Sequence, residues 1–217
     1  MIAVLCGLSE EAATVTERRG VLVLTGTVAR DKMDKLIPPS CEGIVSWGTA
    51  GSVSKLVPVG AVVILRNVYT DAGVLPTNKA WHEAAFRSFA QAYRADGWSG
   101  PKEVSATAKQ KAALAQKYPV ATADEGAYAV LEFATKRNIP ALVVQGISDA
   151  YDQDVPSIAA FGATNADGSP DIGALVGQLI QNPDQIGGLL EVASTFWQAL
   201  AGMRACYAAL GSRFALP

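Results

Sequence analysis

Six short runs of aliphatic and β-branched residues punctuate the chain: Ile2–Cys6, Val21–Thr25, Gly43–Trp47, Ala61–Leu65, Val120–Thr122 and Ala141–Ile147. Their apolarity is continuous rather than alternating, as in strands covered on both faces. Between them the period changes. Trp81, Ala85, Phe89 and Ala92 recur at helical spacing and predict a helix over Thr77–Ala95. Lys109–Lys117 and Gly126–Arg137 predict two more, the second leaving through Asn138 and Pro140. This alternation predicts one α/β domain over residues 1–217, with a central, mostly parallel mixed sheet flanked by helices.

Beyond the last strand the pattern loosens. Tyr151–Pro183 is rich in polar and turn residues and predicts an exposed loop carrying one short helix, Asp171–Ile180. A long C-terminal helix follows from Asp184 to about Leu210. Ile186, Leu189, Leu190, Ala193, Trp197, Leu200, Met203 and Tyr207 keep helical spacing, and Phe196 widens the stripe. A helix packed on the sheet explains the stripe. A partner surface or a peripheral membrane contact is the alternative, because so wide an apolar face is hard to cover in a monomer.

Composition narrows the partners. A net charge of −2 gives no basic face for nucleic acid. No apolar run is long enough for a transmembrane segment. The chain opens directly on a strand-like run, so no signal peptide is read and a cytoplasmic location is expected. Cys6, Cys41 and Cys206 have no metal-ligand spacing and read as buried reduced thiols. His82, the single histidine, cannot complete a cluster, so no metal is expected, and it reads as a surface or interface residue.

Four places could carry chemistry. Gly7-Leu8-Ser9-Glu10-Glu11-Ala12 follows the first strand, with Ser9 suited to cap a helix and Glu11 a candidate to activate a nucleophile. Gly48-Thr49-Ala50-Gly51-Ser52 follows another strand, where small residues let a ligand approach the backbone. Its glycine spacing matches neither a Walker loop nor a dinucleotide fingerprint. Asp124-Glu125-Gly126 places two acids before a helix, as dipole partners or as binders of sugar hydroxyls. Ser148-Asp149 ends a strand, where a carboxyl serves as a general acid or as a turn residue.

The order of these segments adds what no single one holds. Gly7 to Glu11, then Gly48-Thr49-Ala50-Gly51 with Val59-Gly60-Ala61-Val62-Val63-Ile64, then Glu125-Gly126-Ala127, then Ile147-Ser148-Asp149-Ala150 resembles the purine nucleoside phosphorylase and methylthioadenosine/S-adenosylhomocysteine nucleosidase superfamily. Leu75-Pro76-Thr77-Asn78-Lys79-Ala80-Trp81 and Asp167-Gly168-Ser169-Pro170-Asp171 are similar to the hopanoid-associated phosphorylases. The resemblance implies cleavage of a purine N-glycosidic bond, with adenosylhopane as the substrate of the subgroup and a homo-oligomeric assembly.

It also implies roles. Asp149 would serve N7 of the leaving purine, oriented by Ser148. Glu125 would hold the ribose hydroxyls beside Asp124. Gly7, Gly48 and Thr49 would line the nucleophile's pocket. No cofactor is implied, and phosphate is a co-substrate if the reaction is phosphorolysis. A dry, apolar pocket is expected around Asp149, to favour its protonated form.

The departures are specific. Ala12 stands where the nucleosidases carry a water-activating glutamate, which directs the reading toward phosphorolysis. Ser46 stands where hexameric phosphorylases carry a phosphate-binding arginine, leaving Arg18, Arg19, Arg30 or Arg66 to replace it. Asp124 replaces a methionine, and Lys109 falls near the aromatic that stacks on the base. The alternatives are a hydrolytic methylthioadenosine/S-adenosylhomocysteine nucleosidase and a non-catalytic nucleoside- or lipid-binding protein.

Overall fold

A computed structural model describes residues 1–16, 19–101, 105–157, 164–182, 184 and 186–217. The predicted strands form as β1 (Ile2–Cys6), β2 (Val21–Thr25), β3 (Gly43–Ser52), which takes in the Gly48–Ser52 segment expected after it, β4 (Val62–Thr70), β7 (Thr122–Asp124), which shares only Thr122 with the predicted run, and β8 (Ala141–Asp149). Two strands were not legible in the pattern: β5 (Gly73–Pro76) and β6 (Tyr93–Ser99). The helices are α1 (Ser9–Ala12), α2 (Gly26–Asp31), α3 (Met33–Leu36), α4 (Lys79–Ser88), α5 (Ala108–Lys117), α6 (Ala127–Arg137), α7 (Ile172–Gln181) and α8 (Ile186–Leu210).

The sheet is mixed, with parallel pairs in the majority. β1 lies parallel between β2 and β3. On its other edge β3 runs parallel to β8 from Ile44 to Gly51. Past the end of β1, Gly51 and Ser52 of β3 pair antiparallel with β7. β7 then pairs with β6, β6 with β4, and β4 with β8. The pairing therefore closes on itself through β3, β7, β6, β4 and β8. Closure removes the exposed edges of these strands and brings the ends of β3, β7 and β8 together.

One layer of core joins β1, β3, β4 and β8 to α4 and α8, through Trp47, Trp81, Leu200, Met203 and Tyr207. The other joins the same strands to α3 and α6, through Ile44, Val130, Leu131 and Val143. Continuous apolar strands are thereby explained: both faces are covered. Gly146 lets α8 lie close on β8, since a Cβ there would stand 2.8 Å from Met203 Cγ and 2.9 Å from the Ala199 carbonyl.

The helix expected over Thr77–Ala95 is cut short. Asn78 caps it, accepting a 2.9 Å bond from the Trp81 amide, and it ends at Ser88. Tyr93, Arg94 and Ala95 instead pair with Val63, Ile64 and Leu65. Backbone bonds offered by β4 override the local helical period. His82, expected at the surface, is buried on α4 with Nε2 3.3 Å from the Ile64 carbonyl. Burial pushes its pKa down. The three cysteines are free and buried, and burial pushes the Cys206 thiol up to about 12.

The C-terminal helix divides in two. Ala199, Leu200, Met203, Cys206, Tyr207 and Leu210 are buried against the sheet. Ile186, Leu190 and Trp197 are exposed, as are Ile172, Val176 and Ile180 on α7. No helix among the described residues is long and apolar enough to cross a membrane.

Candidate active site

The carboxyl ends of β1, β3, β7 and β8 surround one cavity of about 640 Å³. Gly7, Glu11, Gly48, Thr49, Asp124, Glu125, Ser148 and Asp149 all line it. Segments up to about 140 residues apart in the chain thus supply one site. The cause is topological: parallel strands present their carboxyl ends on one side, and loops leave from there.

Glu11 is almost wholly buried, at 3 % exposure, yet no cation among the described residues holds it. Its Oε2 accepts from the amides of Gly7, at 2.9 Å, and Leu8, at 3.0 Å. Its Oε1 accepts from the Thr49 amide at 2.7 Å and the Thr49 hydroxyl at 2.8 Å. The carboxylate ties the end of β1 to the end of β3. Burial pushes its pKa up against the opposing pull of these donors. Ser9 does not cap α1 as expected; its hydroxyl donates to Glu10, and Leu8 takes the capping position. The glutamate three residues past Leu8 satisfies the orphan amides instead.

Asp149 is held differently. The ammonium of Lys111, on α5, donates to its Oδ2 at 2.5 Å. Ser148 Oγ donates to its Oδ1 at 2.9 Å, and this is the orienting contact that the resemblance implied. Lys111 is fully buried, at 0 % exposure, and its remaining protons go to the carbonyls of Ala150, at 2.7 Å, and Gln153, at 2.9 Å. The expected apolar surroundings of Asp149 are therefore replaced by a lysine counter-ion. Nothing in the pattern around Lys109 and Lys111 signalled this, since a lysine on an amphipathic helix reads as solvated. Gly51 makes room for the acid: a Cβ there would stand 2.5 Å from Asp149 Oδ2.

The third acidic pair splits into two jobs. Asp124 Oδ2 accepts from the amides of Gly126, at 3.3 Å, and Ala127, at 3.0 Å, and so caps α6. Burial pushes its pKa up. Glu125 is exposed at the rim. It also borders a second cavity, of about 470 Å³, lined by Trp98, Tyr128 and the β4–β5 turn.

Arg30 is the only cationic side chain among the described residues that line the main cavity. Arg66 is bound to Asp96 and Arg19 lies in an exposed turn, neither on the cavity wall. Arg18 falls outside the described residues. Four carboxyl groups thus face one guanidinium. Val192 and Phe196 of α8 close the apolar side.

A single α/β domain with a partly closed mixed sheet and a long C-terminal helix is a fold shared with solved nucleosidase structures. The chain superposes on futalosine hydrolase of Helicobacter pylori with a TM-score of 0.69 and 12 % identity, over 96 % of each chain. It superposes on 5′-methylthioadenosine/S-adenosylhomocysteine nucleosidase of Neisseria meningitidis, in complex with methylthio-immucillin-A, with a TM-score of 0.65 and 14 % identity, over 98 % of each. For 5′-methylthioadenosine nucleosidase of Arabidopsis thaliana the TM-score is 0.59 and the identity 14 %, over 93 % of this chain and 95 % of that one. These similarities establish the fold. No protein-family model and no curated protein matches the chain.

Proposed function

We propose that this chain cleaves the N-glycosidic bond of a purine nucleoside, releasing adenine. The observation that carries the reading is the meeting of Asp149, Ser148, Glu125 and Thr49 around one cavity. Breaking the bond leaves positive charge on the ribose and negative charge on the base. Glu125 at the rim stabilises the ribose and holds its hydroxyls. Asp149 serves N7 of the purine, and the Lys111 ammonium against Oδ2 lowers the cost of charge arriving there.

Water is the nucleophile that this cavity favours. With Asp149 already matched by Lys111, a phosphate dianion would still meet Glu11, Asp124 and Glu125, with Arg30 as the one cation among the described lining residues. Like charges gathered in one cavity disfavour its binding. The charge balance supports hydrolysis over the phosphorolysis that Ala12 alone suggested. For the 5′ substituent, Val192 and Phe196 in the wall and the exposed stripe of α7 and α8 support an apolar group, adenosylhopane among the candidates. The same stripe supports a peripheral lipid contact.

The test is release of free adenine from methylthioadenosine, S-adenosylhomocysteine and adenosylhopane, each with and without phosphate. Release without phosphate is expected. Asp149→Asn is expected to cut kcat by about 10²-fold or more, the scale of general acid catalysis; because it also leaves the buried Lys111 ammonium without its counter-ion, the unfolding midpoint should fall, and kcat is read below that midpoint. Strict phosphate dependence would reject hydrolysis, and an unchanged rate would remove Asp149 from its role.

A further inference from the structure

We propose that Thr49 is a catalytic residue, carrying a proton from the attacking water to Glu11; this rests on the hydrolytic reading above. The position that would hold a water-activating glutamate is Ala12, which has no group to do it. Two carboxylates of the cavity take their described hydrogen bonds from neutral donors alone: Asp124, which caps α6, and Glu11, next to Ala12, which reaches Thr49. Glu11 cannot meet the water directly. Each of its oxygens already carries two donors, and Gly7 and Gly48 press on it. A Cβ at Gly48 would stand 3.3 Å from both carboxylate oxygens, and one at Gly7 3.4 Å from Oε2.

Thr49 makes the connection. Its hydroxyl hydrogen is directed at Glu11 Oε1, 2.8 Å away, so the oxygen's lone pairs are left for a donor on the cavity side. A second bond, from the Thr49 amide to the same oxygen at 2.7 Å, fixes the pair without help from the side chain. The step balances. A water O–H gives its proton to Thr49 Oγ1 as Oγ1–H passes to Glu11 Oε1. The water oxygen bonds to C1′ while the C1′–N9 bond breaks, its electron pair going to the purine. The purine takes its proton at N7 from the Asp149 carboxyl, whose O–H bond breaks to leave the carboxylate against the Lys111 ammonium; Asp149 then regains a proton from solvent and Glu11 gives one up. Burial has already raised the affinity of Glu11 for that proton.

Thr49→Val keeps the shape and the amide bond but deletes the relay. The expected result is a fall in kcat of about 10²-fold or more with KM and adenine binding unchanged, while Thr49→Ser stays within a few-fold of wild type. Glu11→Gln should lose about as much, and the double variant no more than either alone, as groups acting in one unit do. Thr49→Ala serves the same purpose should the valine not fold. A wild-type kcat in Thr49→Val or Thr49→Ala, or a serine variant as inactive as the valine, overturns the relay alone. A rise in KM at constant kcat also overturns it, by making Thr49 a binding group only. A wild-type protein that releases no adenine, or does so only with phosphate, overturns the relay and the hydrolytic reading together.

Discussion

Asp149 and Glu11 are both buried carboxylates in the wall of one cavity, and they are held in opposite ways. Asp149 is matched by the full charge of Lys111. Glu11 has four neutral donors, three of them backbone amides. A counter-ion fixes charge; amides fix position, and at Glu11 burial outweighs their downward pull on the proton affinity. The contrast assigns Asp149 to the purine, where charge arrives during the reaction, and Glu11 to the nucleophile, where a proton must be taken up.

The largest effect should come from breaking the ion pair. Lys111→Met leaves an uncompensated buried carboxylate beside two unpaired carbonyls, which costs about 3–5 kcal/mol by the usual scale for such losses. Adding Asp149→Asn should recover much of that stability, and denaturant unfolding of the single and double variants measures it. A Lys111→Met variant as stable as wild type would mean that the pair is not the clamp described.

A smaller effect separates the two acids by space. Gly51→Ala drives a methyl to 2.5 Å from Asp149 Oδ2, whereas Gly48→Ala meets the Glu11 carboxylate at 3.3 Å. Overpacking on the first scale costs about 1–3 kcal/mol. Gly51→Ala should therefore lose more activity and more stability than Gly48→Ala, and equal losses in steady-state rate and melting temperature would contradict the packing.

The pH dependence distinguishes them further. A raised folded pKa means that the native state binds more protons than the unfolded chain above pH 4.5. Glu11 thus contributes stability that is fully present below pH 4.5 and is lost as pH rises through the raised value. Asp124 acts in the same direction. Glu11→Gln should flatten part of that decline in a melting-temperature series, and a decline of wild-type slope would show that Glu11 does not titrate there.

The smallest effect is expected on the exposed half of α8. Trp197 is 55 % exposed, so Trp197→Ser should change stability by no more than about 0.5 kcal/mol. If the stripe meets lipid, the same change should weaken sedimentation with phospholipid vesicles; equal sedimentation would remove Trp197 from such a contact.

Much was legible from the residues alone. Doubly covered strands leave continuous apolar runs, and six of the eight strands stood out for that reason. The order of the glycine and acid segments at strand ends marked Gly7, Glu11, Gly48, Thr49, Asp124, Glu125, Ser148 and Asp149, which share one cavity because in a parallel arrangement the strand ends lie on one side; the rest of the lining was not marked. The tertiary structure alone decided the rest. β6 exists because β4 supplies its hydrogen bonds, which outweigh a local helical period. Lys111 finds Asp149 only because α5 is laid against the end of β8; 38 residues separate them, and no spacing encodes a contact across that distance. Glu11 is a knot rather than a rim acid because β1 and β3 end side by side. A one-dimensional pattern records which faces are covered, whereas partners across the fold are fixed by packing.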